Sequence, residues 1–435
     1  MCFGREVDVI TSWGQTKKTE AKIASPSFSR KNSKQIRLPF GRRRSYGDSC
    51  LLHKGLLIDS TQNDYLLSFN REKGILKACS GLDLDHLLKI IVPAGWFLPV
   101  SPGTKFVTLG GAVANDIHGK NHHQNGNFGH WVRSLVLIRS NGEKLQCSDE
   151  HNPEFFRATI GGLGLTGYID QVEIQLIPIE SAYIEVETIQ YQSLDEFFEI
   201  NRLSKSWPYT VAWSDFSDYR NGLRGLYIRG RHSSQGELTP HKSGTAKSIP
   251  FNFPGKTLNP LTISVFNKLY FGKNKWKTRT ELQHYDPFFY PLDSILHWNR
   301  IYGENGFFQF QCVVPHQSAQ KEFLKILQLI AQSGQGSFLT VLKTFGDIPS
   351  KGLLSFPSPG ITLCMDFANL GRETVGLMLE LERLVREAGG KLYPAKDALM
   401  SEESFKTFFP QYQEFLKYKD PLYNSDFWKR VGGDR

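Results

Sequence analysis

Residues 98–138 read LPVSPGTKFVTLGGAVANDIHGKNHHQNGNFGHWVRSLVLI. Glycines at 103, 110, 111 and 119, with Thr104 and Thr108 between them, leave backbone amides that a ligand can approach with few side chains in the way. Such a loop suits a pyrophosphate. The polar side chains Asn115, Asp116, His118, Lys120, Asn121, His122 and His123 are more concentrated than an ordinary turn needs, and Val132 to Ile138 reads as a buried strand. A plain surface loop has a similar composition, so the loop alone does not decide its chemistry. No cysteine cluster or His-Glu-x-x-His helix accompanies the histidines, and no metal is expected.

The rest of the chain supports a globular protein of two or three domains: 435 residues, 40% apolar and 22% charged. A net charge of +9 fits an anionic partner such as a phosphate ester or an acidic lipid surface. Nucleic acid is not expected, because the basic residues are scattered and form no known binding pattern. Six cysteines (Cys2, Cys50, Cys79, Cys147, Cys312, Cys364) lie far apart, as free thiols in a reducing compartment would. The first residues show no signal-peptide pattern and no run of eighteen apolar residues occurs, so the expected location is cytoplasmic, with peripheral contact at the inner membrane face allowed.

Upstream of the opening loop, Phe40-Gly41-Arg42-Arg43-Arg44-Ser45-Tyr46-Gly47-Asp48-Ser49 reads locally as a solvated charge run, followed by strands near 56–59, 65–69 and 74–80 and a helix over 83–91. Downstream, Asn141-Gly142 signals a hairpin. Residues 162–167 match G-x-G-x-x-G, but a helix precedes them and a strand follows, the reverse of a nicotinamide-binding Rossmann unit. From about residue 180 to 390 the texture becomes strands and amphipathic helices, including helices over 194–203, 317–332 and 373–388 and a strand over 307–314. Within it, 236–277 is basic and apolar together and reads either as a mobile loop that touches a membrane or a lipid-tailed substrate or, equally, as a packed insertion.

Four segments taken together resemble flavin oxidoreductases of the vanillyl-alcohol-oxidase family. They are Arg44-Ser45-Tyr46-Gly47-Asp48, the Pro102-Gly103-Thr104 to His123 run, Ala158 to Gly167, and Tyr393 to Asp397. Within the family the similarity is strongest to the branch that oxidises a polyprenyl-phosphate-linked ribose. The resemblance implies an α+β fold: a PCMH-type FAD-binding domain from residues 1–179 and the returning 391–435, with a substrate domain of antiparallel sheet flanked by helices inserted at 180–390. It implies FAD contacts from Phe40, Gly41, Arg42, Arg43, Arg44, Ser45, Tyr46, Gly47, Asp48, Ser49, Gly103, Thr108, Leu109, Gly110, Gly111, Asn115, Asp116, Ile117, His118, Ile169 and Tyr393. Relatives that tether FAD covalently use a histidine just before the serine of the first motif; Arg44 stands there, so FAD is expected to be non-covalent.

Oxidising a secondary alcohol requires its hydroxyl proton to leave while the carbinol hydride moves, so a base must stand beside that carbon. The resemblance puts Lys396 at the flavin's active edge as the essential residue, with Tyr46 and His118 supporting the flavin ring and the sugar hydroxyls. It places Lys120, Gln309, Gln311, Lys343 and Cys364 with Lys396 around the substrate. From the residues alone, Lys396 would pass for a surface lysine, Gln309 and Gln311 for one polar face of a strand, and Cys364 for a buried thiol. Two departures stand out: 25–35 has no apolar period where the family has a helix, and Phe289-Tyr290 replaces a Tyr-His pair. The partners implied are a lipid-linked sugar, a short-chain NAD(P)-dependent reductase that completes an epimerisation to arabinose, and quinone or dioxygen as acceptor. The competing readings are an oxidase or dehydrogenase of a free sugar, alditol or sugar lactone, and a non-catalytic basic binding protein.

Overall fold

The computed structural model describes residues 7–216, 223–242, 244, 246–254, 257–272, 274 and 276–432. Cys2 therefore lies outside the described residues, and the other five cysteines are unpaired.

Three sheets carry the architecture. The first is mixed, in the order Asp8–Thr11, Lys18–Ala24, Leu56–Asp59, Arg37–Phe40, with the first pair antiparallel and the others parallel. The C-terminus returns to it. Arg37 N donates to Leu422 O (2.8 Å) and Asn424 N to Arg37 O (3.0 Å), laying the tail along the last strand. The second is antiparallel, in the order Leu66–Asn70, Ile75–Cys79, Tyr168–Gln175, Val132–Ile138, Lys144–Ser148. Helices Leu84–Ile91 and Leu109–Ala114 bury Leu84, Leu88, Leu109 and Val113 in one cluster with Leu76, Leu135, Val172 and Ile174 of this sheet. Asp83 caps the longer helix, accepting from His86 N at 2.9 Å, and thereby fixes where the chain turns towards the glycine loop.

The third sheet has eight antiparallel strands: Thr278–His284, Tyr183–Tyr191, Arg224–His232, Tyr209–Asp215, Thr340–Phe345, Gly360–Ala368, Phe307–Val314, Lys391–Leu392. The period-two alternation of its strands decides what each face does. On Phe307–Val314, residues Phe308, Phe310, Cys312 and Val314 join one core with Phe323, Ile326 and Ile330 of helix Ala319–Ser333 and Leu377, Leu381 and Val385 of helix Arg372–Glu387. Gln309 and Gln311 are therefore turned to the opposite face. Truncating Phe310 to alanine would cost about 3–5 kcal/mol, the usual range for a core phenylalanine.

Of the two readings of 236–277, the described residues show the packed insertion rather than the loop. The segment contains helix Pro260–Gly272, and its Lys247–Ser248 pairs in parallel with Ile295–Leu296. The helix is anchored by Ile263 and by the fully buried Asn267, whose Nδ2 donates to Asp215 Oδ1 at 2.9 Å, while Tyr270 packs on Trp213 with ring centroids 4.8 Å apart. Along the helix Ile263 and Asn267, four residues apart, are buried, while Leu261, Val265 and Leu269 are exposed.

Candidate active site

A cavity of about 590 Å³ lies between the two glycine loops, the 40–49 segment and the open face of the eight-stranded sheet. Of the positions singled out in the sequence, Phe40, Gly41, Arg42, Arg43, Arg44, Ser45, Tyr46, Ser49, Gly103, Thr108, Gly110, Gly111, Asn115, Ile117, His118, Ile169 and Tyr393 line it. So do Lys120, Gln309, Gln311, Lys343, Cys364 and Lys396.

Four do not line it. Leu109 is fully buried in the helix–sheet core. Asp116 is also fully buried, accepting from Gly129 N (2.8 Å), Asn127 Nδ2 and Ser355 Oγ, so it holds the turn after the glycine helix rather than facing the cavity. Gly47 presses on the chain return: a Cβ there would stand 1.5 Å from Asp397 O, which only glycine permits. Asp48 pairs with Arg430 at 2.7 Å.

The loops are held by the backbone. Thr108 caps the helix Leu109–Ala114 by accepting from Gly111 N (3.2 Å). The second loop docks on the end of that helix through Gly161 N to Val113 O (2.9 Å) and Leu163 N to Ala114 O (2.8 Å). A Cβ on Gly103 would meet nothing within 4 Å, so the chain's own packing does not require that glycine. Among the described residues, the buried Ser49 Oγ, Ser80 Oγ and His118 Nδ1, all on residues lining the cavity, have no hydrogen-bond partner. Buried polar atoms without partners mark where a polar ligand supplies them. Two glycine loops, unsatisfied hydroxyls and three arginines form a donor set that fits the pyrophosphate and ring edges of FAD. Arg44 is partly shielded: its guanidinium lies 3.9 Å from the Trp13 ring centroid, and Nε donates to Phe106 O at 3.3 Å.

The far end of the cavity is cationic. Lys396 Nζ lies 3.8 Å from the Tyr46 ring centroid, and burial lowers its pKa from the ordinary lysine value, an effect that Cys364 and Asp366 oppose and Lys343 reinforces. Asp366 is 1% exposed and accepts from Gln309 Nε2 at 2.5 Å and from Tyr302 Oη at 3.4 Å. Burial raises its pKa, with Gln309 and Lys396 acting the other way. Burial likewise pulls Lys120 down to about 7 and lowers Lys343. His118 is boxed by Phe345, Phe356 and Tyr393 at centroid distances of 4.9, 5.7 and 5.3 Å. Its Nε2 accepts from Gln311 Nε2 at 3.0 Å, which places the ring proton on Nδ1, and burial keeps the imidazole neutral.

Asp366 was missing from the sequence reading. Its signal was an acid in the otherwise apolar strand Gly360–Ala368, directly opposite Gln309 in the register. Of the departures, Phe289 joins Phe288 beside Lys120, whose Nζ lies 5.9 and 5.4 Å from the two ring centroids, and Tyr290 Oη bonds Ser101 Oγ. The region 25–35 holds only the short 3₁₀ turn Pro26–Arg30.

Residues 18–148 match the FAD binding domain family. Decaprenylphosphoryl-beta-D-ribose oxidase of Mycolicibacterium smegmatis is 34% identical over 99% of this chain and 96% of that protein. An uncharacterized protein in the mprA 5′ region of Streptomyces coelicolor is 26% identical over 81% of this chain and all of its own length. D-lactate dehydrogenase of Anaerostipes hadrus is 26% identical over 36% of this chain and 34% of its own. With the two glycine loops around one cavity and this full-length similarity, the chain belongs to the decaprenylphosphoryl-β-D-ribose oxidase family of FAD-dependent oxidoreductases.

Proposed function

We propose that this protein oxidises the ribose 2′-hydroxyl of a polyprenyl-phosphate-linked ribose by hydride transfer to non-covalent FAD, a step towards an arabinan precursor. The observation that carries the reading is the meeting of Lys396 and Tyr46, with the buried Asp366 acting on the lysine through charge, in a cavity whose other walls are glycine loops and arginines. FAD, when bound, supplies the hydride acceptor.

The chain's own residues do the rest. The 40–49 segment, Gly103, Thr108, Gly110 and Gly111 hold the cofactor, with Tyr393 fixed by its Oη to Asn115 O (3.1 Å). Lys396, with its lowered pKa, accepts the hydroxyl proton. It then carries the positive charge that the negative charge developing in the site requires. Gln309 and Gln311 present amides to the sugar, and Lys120 and Lys343 supply positive charge for its phosphate. Arg44 at the tethering position supports a non-covalent cofactor.

In this reading residues 1–179 and 391–435 form the cofactor unit and 180–390 the substrate unit. The product is a ketone, so a short-chain NAD(P)-dependent reductase is the partner that completes the epimerisation, and a quinone or dioxygen reoxidises the enzyme. No helix among the described residues is long and apolar enough to cross a membrane. Peripheral contact is supported by helix Pro260–Gly272, where Leu261 and Leu269 are 73% and 71% exposed, with Trp276 at 70% nearby in the chain. We place the protein at the cytoplasmic face.

The test is Lys396→Ala. The variant should keep its flavin absorption, release that flavin into the supernatant on acid precipitation as the parent protein does, and lose at least about 10²-fold in turnover of the lipid-linked ribose. Full turnover in this variant would overturn the reading. Flavin remaining in the pellet would overturn non-covalent binding.

A further inference from the structure

The cavity does not end at the cationic pocket. The open face of the eight-stranded sheet carries a row of directly paired residues: Gln311 opposite Cys364, Cys364 opposite Val341, Val341 opposite Trp213, and Trp213 opposite Leu226. All five line the cavity. Along this row the chemistry changes from amide and thiol to aliphatic and aromatic within a single strand spacing. The neighbouring row continues the apolar part, with Ile228 opposite both Val211 and Thr188.

Val341, Val211 and Ile228 sit on central strands, where both faces are ordinarily covered, yet each is only half-buried. The helix-covered face of the same sheet is closed by contrast. Val341, Val211 and Ile228 are therefore apolar surface facing the cavity that the described part of the chain leaves partly open, flanked by Trp213 and Leu226, which are buried, Trp213 under Tyr270.

The boundary between the polar and apolar parts is charged. Lys343 stands two residues along the same face of its strand from Val341. Lys120 is tied to the start of the strip, because Thr210 N, next to Val211, donates to Lys120 O at 2.9 Å. Among the described residues neither lysine takes part in a salt bridge. From the strand of Cys364 to that of Thr188 the strip crosses four strand spacings, about 19 Å at ~4.8 Å each. Beyond them the lining passes to Tyr270 and Arg279, beside the exposed helix Pro260–Gly272.

We infer that this strip seats the prenyl tail of the lipid-linked substrate, with the phosphodiester held between Lys120 and Lys343. This rests on the function proposed above. A polyprenyl-phosphoryl sugar has the same order of parts as the cavity: a hydroxylated ring at the Gln309–Gln311–Lys396 end, one negative charge at the two lysines, and hydrocarbon along the strip. Several prenyl units fit before the tail reaches the surface, and units beyond that lie outside the protein.

The test uses the FAD-loaded protein and sugar-free prenyl phosphates of one, two, four and ten units in mild detergent, with binding measured by calorimetry and turnover measured on the matching ribosyl lipids. Affinity should rise at least about tenfold from one to four units, because hydrocarbon leaves water, and change little from four to ten. Ile228→Asn and Val211→Ser should each flatten that dependence while the flavin content stays at the parent level. A misfolded variant would show itself by lost flavin, and the length series with the unaltered protein then decides alone. Affinity indifferent to tail length, or a length dependence untouched by folded variants of both residues, would overturn the inference. Length-dependent binding without turnover of any ribosyl lipid would support the tail seat and overturn the proposed reaction instead.

Discussion

The Lys396 ammonium lies 3.8 Å from the centroid of the Tyr46 ring, and the backbones of the same two segments are joined by Tyr46 N donating to Ala395 O at 2.9 Å. The first cofactor segment and the C-terminal return are thus locked so that one supplies the face on which the other's lysine rests. Tyr46→Phe preserves that face and should leave turnover within a few-fold. Tyr46→Leu removes it and should lower kcat about 5- to 30-fold, from a desolvated cation–π contact of ~1–2 kcal/mol. Flavin absorption measured alongside turnover separates this from cofactor loss.

Asp366 acts on Lys396 through charge. Its carboxylate opposes the fall in the lysine's pKa that burial causes. If the neutral amine is the base, kcat/KM rises as pH rises through that pKa. Removing the carboxylate in Asp366→Asn lowers the pKa further, so the rising limb of the pH profile should move to lower pH. A limb that stays in place or moves to higher pH would show that Asp366 does not set the lysine's protonation.

Arg430 closes the same region from below, pairing with Asp48 at 2.7 Å and Asp397 at 3.1 Å. Truncating it leaves two buried carboxylates without their cation, a change that typically costs about 3–5 kcal/mol. Arg430→Ala should lower the urea midpoint by a corresponding amount and release flavin before global unfolding, because Asp48 and Asp397 flank the segments that line the cofactor cavity.

Gln311 keeps His118 in one tautomer by donating to Nε2. In Gln311→Leu both ring nitrogens of a buried histidine lack partners, which should cost about 1–3 kcal/mol. Thermal unfolding followed by flavin fluorescence would register this as a lower midpoint. Gln311→Glu should instead turn the ring to its Nε2–H tautomer, since a carboxylate accepts rather than donates, and so recover part of that loss.

Much of this site was legible in the sequence because glycine spacing and clustered polar residues are local signals. The glycine loop, the strand Val132–Ile138 and the helix Leu194–Leu203 are where the pattern puts them. What was missed depends on residues meeting across the chain. Asp366 gains its meaning only when Gly360–Ala368 pairs with Phe307–Val314 and sets it opposite Gln309. Asp48 and Gly47 belong to the motif by sequence, yet they face Arg430 and Asp397 rather than the cavity. The helix at Pro260–Gly272 was obscured because its outward stripe is as apolar as its inward one, so no clear amphipathic period stood out.

The most direct measurement is anaerobic mixing of the FAD-loaded protein with a polyprenyl-phosphoryl ribose carrying deuterium at C2, followed by flavin absorbance. The account predicts that the absorbance bleaches in a single turnover, that bleaching is slowed by deuterium at C2 and not at C3, and that Lys396→Ala keeps its colour but bleaches at least about 10²-fold more slowly. Absence of bleaching, or an isotope effect from C3 alone, would contradict it.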